Sequence, residues 1–282
     1  HAIALEHIFL REAEIVYWDG SSVQYIVASK YTSSLGIPIG VVAIPEGFLP
    51  DGKGRIVSCY FCGSNGTPGT SALTSSYGIT RMDVTTVGLS LYDSVPITDN
   101  AGSTTTGSAP NGSLPSDSNI TDYQSYVDPD AYYYTSAGTI PSPYLFDGVN
   151  TYYYQKIEGH NNALSDFKGL GNTNAIYKDF RPQLAVNAKA FKVSNRISST
   201  VLTQLGLEWY IPSMGELGFL YARLGIINDA LSKCNCPQIP NNSYGLWSST
   251  FNSAASVYTL NYRGPGTVYY RPLSSTYALR PF

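Results

Sequence analysis

Charge is scarce in this chain. Asp, Glu, Lys and Arg make up only 13% of its 282 residues, about half the roughly 25% of an ordinary globular protein. A net charge of −3 offers no basic field to a phosphate backbone or an anionic membrane surface, which excludes a nucleic-acid binder. Histidine is nearly missing: His1, His7 and His160 are the full set and cannot build a His-rich metal centre. The H-E-x-x-H and G-x-S-x-G signatures are absent as well. Long apolar runs are also lacking. The longest lies in Ile39–Ile44, far short of the ~20 residues of a membrane span. The chain opens on His1 with no charged-then-apolar leader, as expected of a processed or trimmed product.

What is plentiful is Tyr (24), Gly (26) and Pro (17), against 2 Met. That balance suits short strands, many turns and a neutral, hydroxyl-rich surface. The length allows one large domain or two small ones, with ample core. Four cysteines occur as Cys59-x-x-Cys62 and Cys234-x-Cys236. Two such pairs could ligate zinc as four thiolates; one or two disulfides, or plain buried thiols, are the alternatives. A structural zinc usually belongs to a domain too small for a core, so no metal ligand and no cofactor is assigned.

Residues 1–14 are helix-tolerant and carry three glutamates. From Ile15 the pattern turns to strands: Val16-Tyr17-Trp18, then Asp19-Gly20 as a two-residue turn, then Val23 to Val27, a strong hairpin cue. Ile37 to Pro45 reads as a buried strand, and Arg55–Tyr60 as a second one after the loop Leu49 to Gly54. Residues 63–141, rich in Ser, Thr, Gly, Asn, Pro and Tyr, read as long ordered loops, because recurring aromatic anchors are of little use to a flexible linker. Two helices stand out. The first is short, capped by Asn172 or Thr173, with a body from Ala175 to Phe180. Gly169-Leu170-Gly171 before it lacks the third glycine and strand unit of a phosphate loop. The second opens on a capping box, Ser213-Met214-Gly215-Glu216. Leu217, Leu220, Tyr221, Leu224, Ile227 and Leu231 then continue one apolar face to near Lys233.

Three motifs follow in order: Glu208-Trp209-Tyr210-Ile211-Pro212-Ser213-Met214-Gly215-Glu216-Leu217, Leu246-Trp247-Ser248-Ser249-Thr250, and Ala278-Leu279-Arg280-Pro281-Phe282. This series resembles the C-type-lectin-like fold in its bacterial form, shared with formylglycine-generating enzymes. More closely, it resembles the variable proteins of diversity-generating retroelements in bacteria and phages. Residues 38–58 and 159–173 resemble that group too. The resemblance implies an α+β, C-type-lectin-like domain over 37–282, with two helices, antiparallel sheets and long ordered loops. It would carry a loop-rich insertion at about 63–141 and a variable region at about 247–282. Residues 1–36 would form an N-terminal attachment or oligomerisation segment with the β-hairpin.

In that family the C-terminal stretch is diversified by mutating template adenines, mostly in A-A-pyrimidine codons. Free change at the first two bases, with a pyrimidine third, never encodes Trp, Met, Lys, Gln or Glu. Residues 248–282 contain none of these five types, whereas the preceding 247 residues contain 26. Strand alternation then separates scaffold from display. In Ser256–Arg263, Tyr258, Leu260 and Tyr262 share one side and are expected in the core. Thr259, Asn261 and Arg263 share the other and are expected in solvent. Val268 and Tyr270 alternate likewise with Thr267 and Tyr269, and 251–256 and 273–276 read as loops. The expected ligand-binding patch is thus Phe251, Asn252, Ser253, Ala255, Ser256, Thr259, Asn261, Arg263, Tyr269, Tyr270, Ser274, Ser275 and Thr276. Its chemistry is that of a paratope, with Tyr for rigid contact area and Ser or Asn for adaptable hydrogen bonds. Trp209, Trp247, Leu260 and Phe282 are expected as buried framework.

No catalytic residue is assigned, and the chain is not expected to be an enzyme. Cys234 and Cys236 lie outside any motif matching the cysteine pair of formylglycine-generating enzymes. Asp19, Asp51, Asp128 and Asp130 sit in turn contexts, where Asp is a turn-maker. The calcium-lectin signatures Glu-Pro-Asn, Gln-Pro-Asp and Trp-Asn-Asp are missing, so any glycan binding would be metal-independent. The sequence therefore reads as a receptor-binding protein of a phage tail-fibre tip, or alternatively a bacterial cell-surface adhesin or glycan-binding lectin. It would be extracellular, on a virion or a cell surface. Its partner would be a host or bacterial surface protein or glycan, with no nucleic acid and no membrane insertion, and its assembly a homo-oligomer (a trimer) or attachment to a larger fibre.

Overall fold

The computed structural model describes residues 12–49, 51–72, 74–82, 163–164, 166–194, 197, 201–202, 206–240, 245–261 and 267–282, with short strands between 96 and 154. For those short strands and for residues 252, 253, 260, 261 and 267–270, only the backbone is described. The molecule is a mixed α+β structure with mainly antiparallel sheets.

The Asp-Gly cue produces a hairpin of β1 (Glu14–Trp18) and β2 (Val23–Val27). Its loop spans four residues instead of two, because the Asp19 carboxylate accepts the backbone N–H groups of both Ser21 and Ser22, each at 2.7 Å. This is an Asx-type closure. β1 also pairs with β3 (Ile37–Ile44), and β3 with β4 (Arg55–Ser58), giving a sheet of order β2-β1-β3-β4. Ile39 to Ile44 are buried without a break, as the apolar run requires. Glu14 opens a strand, so the helix-tolerant reading fails at its C-terminal end; residues 1–11 lie outside the described set.

A small pair, β5 (Phe61–Cys62) and β6 (Pro68–Gly69), and β7 (Thr74–Ser75) follow. The 63–141 region and its continuation carry further short strands: β8 (Pro96–Thr98), β9 (Thr104–Thr106), β10 (Tyr133–Thr135), β11 (Gly138–Ile140), β12 (Leu145–Phe146) and β13 (Thr151–Tyr154). Asp128 and Asp130 lie outside the described residues.

Four helices are present among the described residues where the sequence pointed to two. α1 (Gly169–Asp179) starts earlier than expected, with Lys168 at its N-cap. Asn172 and Thr173 are therefore not caps but buried polar side chains inside the helix. α2 (Gln183–Lys189) follows. The single helix expected from the capping box to Lys233 is broken into α3 (Met214–Ala222) and α4 (Leu224–Lys233). The break falls at Arg223, which leaves helical geometry at φ −113°, ψ 15°. Its buried guanidinium instead donates to the main-chain oxygens of Ala43 (2.9 Å) and Val42 (3.3 Å) in β3. That side chain thus ties the junction of α3 and α4 to β3, against which both helices also pack.

The C-terminal region builds a five-stranded sheet of order β16-β15-β14-β17-β7, from β14 (Leu246–Ser253), β15 (Ser256–Asn261), β16 (Thr267–Pro272), β17 (Tyr277–Ala278) and the earlier β7. β14 and β17 run parallel; the other neighbours are antiparallel. α3 packs against β14 and β15 and α1 against β14. Among the described residues no helix is long and apolar enough to cross a membrane.

Candidate functional site

The framework expectation is met where it can be read. Trp209, Trp247 and Phe282 are buried; the Leu260 side chain lies outside the described set. Trp247 donates its indole N–H to the Ser75 carbonyl at 2.7 Å, and its ring meets both Tyr77 and Tyr277 edge-on. Beneath β14 lies a polar core. Asp166 accepts the Thr250 hydroxyl and the Asn172 amide (3.1 Å), while Thr250 Oγ1 accepts the first backbone N–H of α3, that of Met214, at 2.9 Å. Next to it the capping box forms as the sequence predicts, Glu216 accepting the Ser213 N–H at 2.8 Å. Glu216 also accepts from Arg55 Nε and the Tyr210 hydroxyl, both at 3.0 Å. Burial pushes the Glu216 carboxyl up, and these three donors oppose that rise. Gly169 and Gly215 allow the close approach: a Cβ on the first would meet Glu216 Oε2 at 2.2 Å, and one on the second the Asp166 carbonyl at 2.5 Å. Of the Gly-x-Gly at 169–171, Gly169 thus serves the packing of α1 against the start of α3, while a Cβ on Gly171 would meet nothing within 4 Å.

The expected display patch divides. Phe251 and Thr259 are fully buried and Ser256 is 8% exposed, so these three do not present a surface. The periodicity argument assumed one solvated face, yet Tyr258 and Thr259, which point to opposite faces of β15, are both buried. α3 packs against β14 and β15 and α1 against β14, and side chains on both faces of β15 are withdrawn from solvent. The loop expected at 251–256 is also shorter, since β14 continues to Ser253 and only Ala254–Ala255 turn. By contrast, Ser274 and Thr276 are exposed and Ala255 and Ser275 half-exposed. The Leu273 N–H donates to the Ala255 carbonyl at 3.0 Å, which brings the 254–255 turn and the 273–276 turn together at one end of the sheet. Asn252, Ser253, Asn261, Tyr269 and Tyr270 are placed by backbone alone, Tyr269 opposite Thr259 and Tyr270 opposite Tyr258. Arg263 and Tyr262 lie outside the described residues.

The tail that carries this patch is moored by main-chain bonds as well as by the side chains of Trp247, Thr250 and Arg280. Tyr77 N–H donates to the Leu273 carbonyl (3.1 Å), Met82 N–H to Ala254 (2.7 Å), Cys62 N–H to Leu279 (2.9 Å) and Ser58 N–H to Pro281 (2.9 Å). Tyr210 and Phe282 exchange both of their backbone bonds, and Ser249 N–H donates to Pro212.

Two features have no counterpart in the sequence reading of the patch. A cleft of about 650 Å³ opens between β4 and α1, lined by Arg55, Phe167, Leu170, Glu208, Trp209 and Tyr210 among others. Trp209 Nε1 has no partner there among the described residues. No display residue lines this cleft. The second is a cysteine cluster. The Sγ atoms of Cys59, Cys234 and Cys236 lie within 4.8 Å of one another, all buried. Cys62 is not part of it: its thiol donates to the Asn187 carbonyl, and burial pushes it up to about 12. The four cysteines are free thiols. Cys236 is pulled down by hydrogen bonds from Cys234 and Cys59, with help from the Arg280 charge, whereas burial pushes Cys59 up. The spacing of Cys234-x-Cys236 was the visible signal; that Cys59 and not Cys62 joins it is set by the fold.

No protein-family profile matches the chain, and no curated protein does. Among solved structures, a fimbrial protein from Bacteroides ovatus is similar at 16% identity and a TM-score of 0.48. The match covers 96% of this chain and 48% of the other, so the chain spans about half the length of the structure it resembles.

Proposed function

We propose that the chain is a ligand-binding protein of the C-type-lectin-like class, a receptor-binding module or adhesin whose C-terminal region displays a diversified surface. Its carrier would be a phage tail tip or a bacterial cell surface, and its ligand a surface protein or glycan on the target cell. No chemistry on a substrate is part of this reading. The observation that carries it is the junction of the 254–255 and 273–276 turns. Small, exposed hydroxyl side chains at Ser274 and Thr276 meet the Ala255 turn above a densely buried framework. That is the division of labour a binding protein needs: rigid support beneath, replaceable contacts on top. The lack of Trp, Met, Lys, Gln and Glu throughout 248–282 supports diversification of this same segment.

The test is an alanine series at Ser274, Ser275, Thr276, Arg263 and Tyr269, assayed for binding to bacterial cells or envelope extracts alongside thermal melts. Substitutions on the surface should move stability by no more than about ±0.5 kcal/mol. Binding loss should concentrate in the aromatic and Arg positions, at about 2 kcal/mol or more each. Mutants that unfold, or a complete series that binds as well as the parent, would remove the display reading.

A further inference from the structure

We propose that Cys59, Cys234 and Cys236 form a metal site that holds one zinc ion through three thiolates. The proposal is independent of the display role, since none of the three lies in 248–282.

The site is built by secondary structure. α4 ends in a Schellman motif: Cys236 N–H donates to the Leu231 carbonyl (2.9 Å) and Asn235 N–H to Ser232 (3.0 Å). Asn235 supplies the left-handed residue this motif requires, at φ 54°. The reversal folds Cys236 back beside Cys234, so a one-residue spacing yields two converging thiols. Cys59 arrives from the end of β4, fixed by its N–H to the Ile39 carbonyl at 3.0 Å. Zinc–sulfur bonds of about 2.3 Å in a tetrahedron set sulfurs about 3.8 Å apart. Sulfurs already within 4.8 Å can close on such an ion with small side-chain rotations.

An independent observation points to negative charge at this place. Arg280 is fully buried. Its guanidinium lies over the Phe61 ring at 4.6 Å and donates to the carbonyls of Ser58 and Cys59, each at 2.8 Å. Nη1 has no hydrogen-bond partner among the described residues, and no carboxylate among them forms an ion pair with Arg280. A buried cation with neutral partners alone is costly. Among the acidic groups whose charge acts on it, Cys59 and Cys236 come first, ahead of Tyr60 and Tyr221. Three thiolates, one divalent ion and one guanidinium sum to zero charge. Soft sulfur donors select zinc over magnesium or calcium. Cys234 and Cys236 are 8% and 6% exposed, so a solvent oxygen can complete the coordination.

The full chain, purified under reducing conditions, is given Zn²⁺, desalted and analysed for metal, and a parallel sample is loaded with Co²⁺. One zinc per chain should be retained. The cobalt form should show the near-ultraviolet thiolate-to-metal bands and the visible bands of a tetrahedral site. Both should be lost in Cys234→Ser and Cys236→Ser and kept in Cys62→Ser. If the serine variants fail to fold, the cobalt spectrum of the parent decides, because it reports sulfur ligation directly. A folded, reduced parent that retains no zinc overturns the proposal. Cobalt bound without thiolate bands, metal kept in both folded serine variants, or a disulfide linking Cys59 to Cys234 or Cys236 in the purified chain does the same.

Discussion

Tyr77 and Trp247, 170 positions apart in the chain, meet edge to face with ring centroids 5.1 Å apart and planes at 84°. The Tyr77 hydroxyl then donates to the carbonyl of Ser248 at 3.1 Å, so one side chain grips both the ring and the backbone at the start of the C-terminal region. Phe251 meets the same tyrosine edge-on, with centroids 5.9 Å apart.

Because Trp247 is wholly buried, replacing it with alanine should cost about 3–5 kcal/mol. Denaturant unfolding of Trp247→Ala measures it. A loss within the range of surface substitutions would mean that the sheet does not depend on this ring.

The Arg55–Glu216 pair joins β4 to α3, with the Glu216 side chain fully buried. Glu216→Ala should cost about 1–3 kcal/mol, since it leaves the Tyr210 hydroxyl, the Ser213 N–H and Arg55 Nε without their acceptor and opens the capping box, while Arg55 keeps its pair with Asp51. The pH dependence has a definite sign. Burial raises the folded-state pKa of Glu216 above its ordinary 4.5, so the folded chain keeps this proton longer than the unfolded one. The contribution is complete below pH 4.5 and is lost as pH rises through the folded value. Unfolding free energies across that window should fall with pH in the parent and show a flatter slope in Glu216→Gln.

Thr250 is a hinge pin between β14 and α3. Thr250→Val keeps the shape but removes the acceptor for the Met214 N–H and the donor to Asp166. Leaving buried groups unpaired costs about 1–3 kcal/mol. Thr250→Ser, which retains the hydroxyl, should recover most of the loss in the same unfolding assay.

The diversification reading makes a claim about DNA. The coding region should lie near a template repeat matching about Trp247 to Phe282, with mismatches at template adenines and a reverse transcriptase gene close by. Sequencing of the complete neighbourhood checks it; neither element being present would leave only a generic binder.

Much of the scaffold was legible where local rules govern. The Asp19-Gly20 hairpin, the β3 apolar run and the Ser213–Glu216 capping box each announce themselves within a few residues. What stayed hidden depends on partners distant in sequence. Arg223 sits inside an unbroken apolar helical pattern, and only the β3 carbonyls it reaches explain why the helix stops there. Asn172 and Thr173 look like caps because polar residues usually are; here Asp166 and Ile211 receive them in the interior. Thr259 is expected in solvent because alternation alone cannot tell a sheet covered on one face from one buried on both, and Phe251 because 251–256 reads as a loop where β14 in fact continues. Of the expected patch, Ser274 and Thr276 are exposed, whereas Phe251, Ser256 and Thr259 are buried.

The mooring of the C-terminal segment through carbonyl and amide groups has a further consequence. Tyr77, Met82, Cys62 and Ser58 address peptide groups at Leu273, Ala254, Leu279 and Pro281. Every amino acid carries the acceptors they use. A tether of this kind is blind to spelling. At its exposed positions, such as Ser274 and Thr276, the segment can exchange residues without renegotiating these bonds. Elsewhere the tail is also held by buried side chains, Thr250 on Asp166 and Arg280 on Ser58 and Cys59 among them.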